Sequence, residues 1–224
     1  CGSCQEKLES PELRVLLVSE PGFCRNQRVR RKIVLEGRTI ILGGSFNPPH
    51  IAHQMTCIYL LQGLGASEVW VMPANSHPLG KELISFHHRL EMCKLMAKPL
   101  GASVVVSEVE SELGGQGRTF DLLGHLLEKY PTRQFALSIG ADILAETDKW
   151  HRWTDICEMV EVVALGRKGY PRNGGTGVLD GGQLELPEVS SSQIRDALWA
   201  SESVEGLVPC SILDYIRRNN LYCS

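Results

Sequence analysis

The stretch that most constrains the fold runs from residue 40 to residue 53 and reads IILGGSFNPPHIAH. Its three apolar residues at the start are typical of a buried strand, and the segment after Pro49 has the spacing of an amphipathic helix. The glycine pair between them lets a ligand approach the backbone closely, because glycine has no Cβ. A strand, a glycine turn and a helix start in succession predict an anion site, since the first N–H groups of a helix have no partner within it.

Two histidines belong to the same stretch. His50 and His53 are three residues apart, so both side chains can project from the first helical turn toward a bound anion. The chain has neither the GxxxxGK[ST] loop nor a GxGxxG loop at this turn, so neither of these phosphate loops applies. The pattern predicts a phosphate site with two imidazoles. The plainer alternative is a tight turn whose histidines only cap a helix.

Downstream of residue 38, apolar strand patterns alternate with helix patterns. Strands that are apolar throughout and separated by helices predict a parallel sheet covered on both faces. The expected fold class is therefore α/β, a doubly wound, Rossmann-like parallel sheet with a C-terminal helical segment. The predicted strands are 40–42, 69–72, 104–106, 135–139 and 160–165. The predicted helices are 54–64, 86–97, 119–130, 142–147 and a final one within 208–222.

In such a sheet, ligands bind beyond the carboxyl ends of the strands, at the point where the strand order reverses. The glycine turn follows the first strand, and Gly140-Ala141-Asp142 follows the strand predicted at 135–139. Both segments are expected at that edge. The two distant segments are therefore predicted to share one cleft.

Length and charge limit the other classes of function. A chain of 224 residues that is 43% hydrophobic can bury a full core, and it suits one domain at 38–224 with an N-terminal extension of unknown role at 1–37. The net charge of −3 gives no general nucleic-acid field. No apolar run approaches the roughly 20 residues needed to span a membrane, and no secretory signal is visible. We expect no membrane partner and a cytoplasmic location.

The cysteines and the extension carry weaker signals. Eight cysteines in a chain this long do not suggest a small disulfide scaffold, and Cys57, Cys93 and Cys157 are predicted to be buried thiols. The Cys1/Cys4 pair lacks the second pair that a zinc site needs. A basic cluster within 25–32 is expected at the surface, and the glycine-rich segment 170–182 is expected to be a flexible loop.

Three segments carry a family resemblance. GGSFNPPHIAH resembles the nucleotidyltransferase signature GG[ST]F[DN]PxHxGH, with Ala52 where glycine is usual, and most resembles the nicotinate (nicotinamide) mononucleotide adenylyltransferase family. IGADILAETDKWHRW resembles that family's GADxLxxLxxWxRW segment, and VSSSQIR resembles its ISSTxIR signature. The stretch from Gly117 to Asp121 matches SYTxDTL at its threonine and aspartate, and 75–81 replaces a compact PHK. The resemblance covers the chain from Arg38 to its end.

The resemblance implies an adenylyltransferase that joins nicotinate mononucleotide and ATP to give deamido-NAD and pyrophosphate. It implies Mg²⁺ bound through the ATP phosphates, with no metal ligand from the protein. The implied catalytic residues are His50, His53 and Arg195. The implied ATP and phosphate contacts are Gly43, Gly44, Ser45, Phe46, Ser191, Ser192 and, more weakly, Lys81. The implied mononucleotide contacts are Thr119, Gly140, Asp142 and Trp150, the last stacking on the pyridine ring.

Other readings of the same residues remain open. Trp150 alone reads as a packing residue, Thr119 as an N-cap, and the serine run as a helix cap followed by a surface arginine. A related adenylyltransferase acting on nicotinamide mononucleotide or phosphopantetheine, or a cytidylyltransferase, shares part of the motif set. A non-catalytic nucleotide-binding protein is a further class, and nucleic-acid binding through the basic arm is not expected. The choice between nicotinate and nicotinamide, and the oligomeric state, stay open.

Overall fold

The computed structural model describes residues 35–76, 83–114, 117–171 and 177–223. Within these ranges the chain forms a six-stranded sheet in the order β3-β2-β1-β4-β5-β6, and every strand pair in it is parallel. The strands are β1 (Arg38–Gly44), β2 (Glu68–Pro73), β3 (Val104–Val106), β4 (Gln134–Gly140), β5 (Glu161–Arg167) and β6 (Val178–Leu186). The predicted α/β fold with a doubly wound parallel sheet is confirmed.

Helices connect the strands and cover the sheet. They are α1 (Ile51–Ile58), α2 (Phe86–Ala97), α3 (Val109–Leu113), α4 (Thr119–Lys129), α5 (Trp153–Met159), α6 (Ser191–Trp199) and α7 (Cys210–Arg218). A π-helical turn at Tyr59–Gly63 extends α1, and 3-10 turns lie at Lys98–Leu100 and Ala141–Lys149. The helix predicted at 142–147 therefore forms, but with the tighter 3-10 winding.

The core divides into two layers because successive side chains of a strand point to opposite faces. Ile40 and Leu42 of β1 pack into one hydrophobic cluster, whereas Ile41 between them packs into the other. The first cluster contains buried residues of α1, α2, α6 and α7, and the second contains those of α4 and α5. Helices thus cover both faces, which is why the strands are apolar throughout.

The strand order reverses between β1 and β4, which lie side by side at the centre of the sheet. The chain first winds outward from β1 through β2 to β3, and then returns to β4 on the other side of β1. The loops after β1 and β4 consequently separate at the carboxyl edge and leave a crevice there. This topology positions the candidate site.

One prediction about the second half of the chain needs correction. The segment 170–182 is not a loop throughout, because Val178 begins strand β6, which pairs with β5. The sequence obscures this strand with the pair Gly181-Gly182, which reads as a turn. Tyr59 contributes to holding this edge strand, since its hydroxyl donates to the carbonyl of Gly181 at 2.8 Å. The short helix α3 was also not predicted.

The remaining expectations divide by position. Leu35, directly before β1, is fully buried in the first cluster. Cys57 and Cys93 are buried as predicted, whereas Cys157 is half-buried. Cys1, Cys4, the basic cluster and Lys81 lie outside the described residues. Among the helices of the described ranges, none is long and apolar enough to cross a membrane.

Candidate active site

The loop from β1 to α1 is built on a buried phenylalanine. Phe46 is 1% exposed and adopts a positive φ of 46°, and its ring centroid lies 4.7 Å from that of His53. A Cβ on Gly44 would lie 3.3 Å from the Phe46 ring, which is a close contact for any side chain. Glycine at position 44 therefore lets Phe46 pack beneath the loop and support the imidazole above it.

The two histidines of this loop form a stacked pair. His50 is the N-cap residue of α1, and its ring centroid lies 3.8 Å from that of His53 with 33° between the ring planes. The backbone N–H of His50 donates to Nδ1 of His53 at 3.2 Å. In the neutral imidazole of His53 the proton is therefore on Nε2, because one ring nitrogen accepts only when the other carries the hydrogen.

Both imidazoles are neutral at physiological pH. Burial, and then the positive charge of Arg167, lower the pKa of His50 to about 4. Burial lowers the pKa of His53 well below its usual value, with further lowering from His50 and Arg167. Protonating both imidazoles would place two positive charges in ring contact near the guanidinium of Arg167, and the repulsion between these charges is unfavourable. The pair consequently offers N–H donors without the cost of a buried positive charge.

The start of α1 differs from the predicted open anion site. The N–H of Ile51 donates to the carbonyl of Leu207 at 2.9 Å, and the N–H of His53 donates to His50 at 3.0 Å. The N–H of Gln54 also points to the carbonyl of His50, at 3.3 Å. These three backbone groups are therefore paired within the protein, and the first turn of α1 is not a fully open anion site.

Helix α6 brings the second motif against this loop. Ser190 caps the helix by accepting from the N–H of Gln193, and Ser191 Oγ donates to the carbonyl of Pro48 at 2.9 Å. Arg195 donates from Nη1 to the carbonyl of Asn47 at 2.8 Å and from Nη2 to Ser192 Oγ at 3.2 Å. The plain reading of a surface arginine is therefore wrong, because Arg195 is bonded to the histidine loop.

These elements enclose a cleft of about 220 Å³ at the carboxyl edge of the sheet. Six of the predicted site residues line it, namely Ser45, His50, His53, Ser191, Ser192 and Arg195. Seven others do not line it, namely Gly43, Gly44, Phe46, Thr119, Gly140, Asp142 and Trp150. Residues that sequence reasoning did not select also line it, namely Asn47, Leu83, Arg167, Val189 and Ser190.

Two of the predicted mononucleotide contacts, Thr119 and Trp150, belong to segments that touch through aromatic rings. Thr119 is the first residue of α4, and Arg118 before it holds the N-cap position, so the N-cap prediction for Thr119 is wrong. Phe120 stands 6.0 Å from the ring of His151. Trp150 packs edge-on against Trp153 at 5.5 Å. The start of α4 and the segment 150–153 are therefore neighbours, as a shared subsite requires.

Arg167 is one of the cleft residues that the sequence alone did not indicate. It is the last residue of β5, and its Nε lies 3.4 Å from Asp142 Oδ1. A Cβ at position 140 would lie 2.2 Å from the same oxygen, so Gly140 leaves room for this carboxylate. The signal that could have identified Arg167 is its place at the carboxyl end of a predicted strand, the edge where ligands bind.

A buried arginine fixes the loops around the cleft. Arg89 of α2 is 1% exposed, and its guanidinium donates hydrogen bonds to backbone carbonyls. The acceptors are Ser45 at 3.0 Å, Ala74 at 2.6 Å, Asn75 at 3.2 Å and Ile84 at 3.1 Å. The loops after β1 and β2 and the entry to α2 are thereby joined. No local pattern marks this role, since Arg89 follows two histidines in a helix.

Tyr222 fixes the same loop from the far end of the chain. Its hydroxyl donates to Asn47 Oδ1 at 2.8 Å in a buried position. The last helix, α7, packs on the same side of the sheet, since Ile212 and Ile216 are buried in the first cluster and Tyr215 packs against it.

Known proteins resemble this chain in sequence. A family model described as cytidylyltransferase-like matches residues 41–197. The "Probable nicotinate-nucleotide adenylyltransferase" of Anaeromyxobacter dehalogenans (strain 2CP-C) is 47% identical over 190 residues, which cover 83% of this chain and 97% of that protein. A protein of the same description from Myxococcus xanthus (strain DK1622) is 38% identical over 182 residues, covering 81% and 93%.

A solved structure agrees in fold. The Plasmodium falciparum nicotinic acid mononucleotide adenylyltransferase complexed with NaAD has a TM-score of 0.69 and 20% identity, covering 84% of this chain and 98% of that one. Its level of identity shows the shared fold, and the two bacterial relatives show the closer kinship. The chain belongs to the cytidylyltransferase-like family and, within it, to the nicotinate-nucleotide adenylyltransferases.

Proposed function

We infer that this protein is an adenylyltransferase of NAD biosynthesis, which joins nicotinate mononucleotide and ATP to give deamido-NAD and pyrophosphate. The observation that carries the inference is the convergence of two neutral imidazoles, two serine hydroxyls and Arg195 on one cleft. This donor set suits a polyphosphate, because phosphate oxygens accept hydrogen bonds and balance the guanidinium charge.

The reaction requires positioning rather than a protein nucleophile. An oxygen of the mononucleotide 5′-phosphate attacks the α-phosphorus of ATP, and a new P–O bond forms. The bond from that phosphorus to the oxygen shared with the β-phosphorus breaks, and pyrophosphate leaves with the electron pair. Charge spreads over the phosphoryl oxygens in such transfers, so fixed donors and in-line alignment supply the catalysis.

The cleft residues divide this work by position. His53 donates from Nε2 toward the reacting phosphoryl group, and His50 supports the orientation of the pair through its backbone N–H. Ser191, Ser192 and Arg195, on a separate helix, hold the departing pyrophosphate. The hydrogen bond from Arg195 to Asn47 keeps its planar fork at the histidine loop. The histidine pair at the start of α1 thus serves the reacting phosphoryl group, and α6 serves the pyrophosphate.

The remaining sites are assigned by the resemblance. Gly43, Gly44, Ser45 and Phe46 shape the turn that receives ATP, with Lys81 as a further phosphate contact. Thr119, Gly140, Asp142 and Trp150 hold the mononucleotide. The contact between the start of α4 and the segment 150–153 supports one subsite for Thr119 and Trp150.

Mg²⁺ enters this proposal with ATP. The cleft presents imidazole, hydroxyl and guanidinium groups, and Mg²⁺ prefers oxygen ligands, chiefly carboxylates, phosphates and water. The residues therefore fit a metal held by the phosphates of ATP rather than by the protein. Bound in that way, the ion neutralises charge on the phosphate oxygens.

The organisation of the chain follows the same proposal. Residues 38–224 form the catalytic domain, and residues 1–37 form an N-terminal extension. The substrates are the partners, and the protein acts in the cytoplasm.

The test is pyrophosphate release from ATP and Mg²⁺, with nicotinate mononucleotide, nicotinamide mononucleotide and phosphopantetheine supplied separately. We expect release with the nicotinate substrate and little with the other two. Preference for one of the others would move the assignment to a related adenylyltransferase. Silence with all three, in folded protein that still binds ATP, would make this a nucleotide-binding protein without the transfer chemistry.

A further inference from the structure

Glu110 is a buried acidic residue beside the loop that follows β2. It lies in the first turn of α3 and is 7% exposed. Its carboxylate accepts a hydrogen bond from the backbone N–H of Asn75 and is close enough to feel the charge of Arg89. Burial raises the pKa of Glu110, and these two interactions oppose the rise. Because burying a carboxyl group is costly for folding, its presence here points to a role beyond packing.

Arg89 bonds to the carbonyl groups of the same loop. Its Nη1 donates to the carbonyl of Ala74 at 2.6 Å, and its Nη2 donates to the carbonyl of Asn75 at 3.2 Å. The N–H of Asn75 is bonded to Glu110, so both polar groups of the Asn75 backbone are bonded to buried charged side chains. Hydrogen bonds to charged groups are stronger than neutral ones. The backbone at Asn75 is therefore fixed through its donor and its acceptor.

The loop fixed in this way lies against the segment before α4. A Cβ at position 117 would lie 2.9 Å from the carbonyl oxygen of Ser76, and Gly117 has a positive φ of 63°. The backbone of Ser76 therefore approaches the chain at Gly117 more closely than a side chain there would allow. Thr119, a predicted mononucleotide contact, begins α4 two residues later. The position of this loop thus limits where α4 begins.

Other bonds join the same loop to the turn after β1, and Glu110 takes no part in them. The N–H of Ala74 donates to the carbonyl of Gly44 at 2.8 Å. Arg89 Nη1 donates to the carbonyl of Ser45 at 3.0 Å, and Ser45 lines the cleft. These bonds would remain if Glu110 were replaced. A change at Glu110 should therefore be felt at the start of α4 and much less at the cleft that receives ATP.

This inference rests on the proposed function and adds a residue to it. We propose that Glu110 is a positioning residue for the mononucleotide subsite, which fixes the loop after β2 against Gly117 and so places Thr119 at the start of α4. Glu110 acts through the backbone of that loop rather than by contact with a substrate. The placement extends to the segment 150–153, because the guanidinium carbon of Arg152 lies 4.1 Å from the centre of the Phe120 ring.

The experiment compares Glu110→Ala, Glu110→Asp and Glu110→Gln with the unaltered chain. Glutamine keeps an oxygen that can accept from the N–H of Asn75, whereas aspartate keeps the charge on a shorter side chain. KM for each substrate and kcat are measured by pyrophosphate release. Binding of nicotinate mononucleotide, and of a non-hydrolysable ATP analogue with Mg²⁺, is measured by calorimetry.

The matched control is Glu112→Ala. Glu112 belongs to the same helix α3, but its side chain is 52% exposed and forms an ion pair at 2.7 Å with Lys129. Thermal unfolding of every variant checks the fold. The three substitutions at Glu110 differ in severity, so a variant that does not fold leaves the others to be measured.

We expect Glu110→Ala to raise KM for nicotinate mononucleotide by about 10-fold, as the loss of a hydrogen bond to a charged group does. Its affinity for the ATP analogue should change by less than about twofold, because the bonds of Arg89 to the β1 turn remain. Glu110→Asp should resemble Glu110→Ala, since its carboxylate no longer reaches Asn75. Glu110→Gln should restore most of KM, and Glu112→Ala should behave as the unaltered chain does.

Three outcomes would overturn the proposal. One is a KM for nicotinate mononucleotide in Glu110→Ala that stays within about twofold of the unaltered chain. Another is a loss confined to thermal stability and kcat, because a purely structural role reduces the amount of active protein without changing KM. The third is a Glu110→Gln variant whose KM is no better than that of Glu110→Ala.

Failure of the proposed function would be recognised separately, because the unaltered chain would then release no pyrophosphate with nicotinate mononucleotide. Calorimetry decides in that case. If the unaltered chain binds the mononucleotide, its affinity is compared with that of the Glu110 variants. If the unaltered chain does not bind it, both the proposed function and the role of Glu110 are overturned.

Discussion

The stacked histidines decide most of the chemistry available to the cleft. His50 is 2% exposed and its backbone orients His53, so the two rings act as one unit. Both side chains are desolvated and experience the positive charge of Arg167, which keeps them neutral. The neutral imidazole donors and Arg195 can together stabilise the negative charge that develops on a reacting phosphoryl group.

Substituting His53 by alanine is expected to lower kcat by at least about 100-fold, because a preorganised donor to the reacting phosphoryl group is lost. The fold should persist, since the imidazole packs at the cleft surface against Phe46 and His50. Pyrophosphate release and thermal unfolding measure the two effects. The control His87→Ala alters an exposed histidine of α2 and should leave both unchanged. Retained kcat in His53→Ala would contradict the assignment.

The free energy of unfolding should fall as the pH drops from 6.5 to about 4. The unfolded chain protonates His50 near its ordinary pKa of 6.5, whereas the folded chain resists protonation until about 4. Stability from this source is therefore full above pH 6.5, is lost toward pH 4, and amounts to about 3 kcal/mol at most. When the free energy of unfolding, measured with urea, is plotted against pH over this range, the slope should be shallower for His50→Gln than for the unaltered chain. Equal slopes for the two proteins would contradict the prediction.

At the scale of elements, α6 is the part that completes the cleft. Its capping serine, Ser190, fixes where the helix begins, and the first turns then place Ser191, Ser192 and Arg195 against the loop before α1. The serine motif predicted both a cap and phosphate contacts. The structure confirms the cap and places it one residue before the pair assigned to phosphate.

Replacing Ser190 by alanine should cost about 1 kcal/mol of stability, the usual value of an N-cap. It should also raise KM for ATP, because fraying at the start of α6 loosens Arg195. The matched control is Ser85→Ala, which removes the N-cap of α2, where Ser85 accepts from His88 at 3.4 Å. We expect a similar loss of stability there with a smaller change in KM, as measured by urea unfolding and steady-state kinetics. If Ser190→Ala and Ser85→Ala changed KM for ATP equally, the prediction that the Ser190 cap supports the site would be wrong.

At the scale of the whole molecule, the two ends of the domain meet at the histidine loop. Tyr222 reaches Asn47 Oδ1, and the carbonyl of the same asparagine accepts from Arg195. Burial raises the pKa of the Tyr222 hydroxyl, which keeps it a neutral donor. The loop that carries the histidines is therefore fixed by residues far away in sequence, and its geometry depends on the complete fold.

Tyr222→Phe removes this buried hydrogen bond, and we expect a loss of about 1–2 kcal/mol in the free energy of unfolding. KM for ATP should rise, since Asn47 also holds Arg195. Tyr215→Phe is the comparison, because its hydroxyl bonds to His88 at 2.9 Å, and neither residue lines the cleft. That variant should change KM little. Urea unfolding and steady-state kinetics of both variants test these expectations. An unchanged KM for ATP in Tyr222→Phe would contradict them.

Deleting residues 1–34 tests the domain organisation. Every residue that lines the cleft lies at 45–195, and the first buried core residue described is Leu35. We therefore expect the shortened chain to unfold at the same temperature and to keep its kcat. Thermal unfolding and pyrophosphate release provide the readout. A large loss of either would show that the extension belongs to the catalytic unit.

The sequence by itself determined the alternation of strands and helices, the histidine motif and the serine motif. These are local signals, because the periodicity of apolar residues and the chemistry of turns depend on neighbours a few positions away. Five strands, and helices such as α2 at Phe86–Ala97, follow from that periodicity. The same signals favoured one cleft at the carboxyl edge, since parallel sheets bind ligands there.

Only the tertiary structure decided which distant residues meet. Arg167 joins the cleft because β5 lies beside β4, and its approach to Asp142 depends on that register. Arg89 and Tyr222 bond to loops that no local pattern connects with them. Strand β6 forms despite Gly181-Gly182 because its partner β5 supplies the hydrogen bonds. Contacts of this kind arise from strand order and packing, and the physical information that determines them is spread along the whole chain.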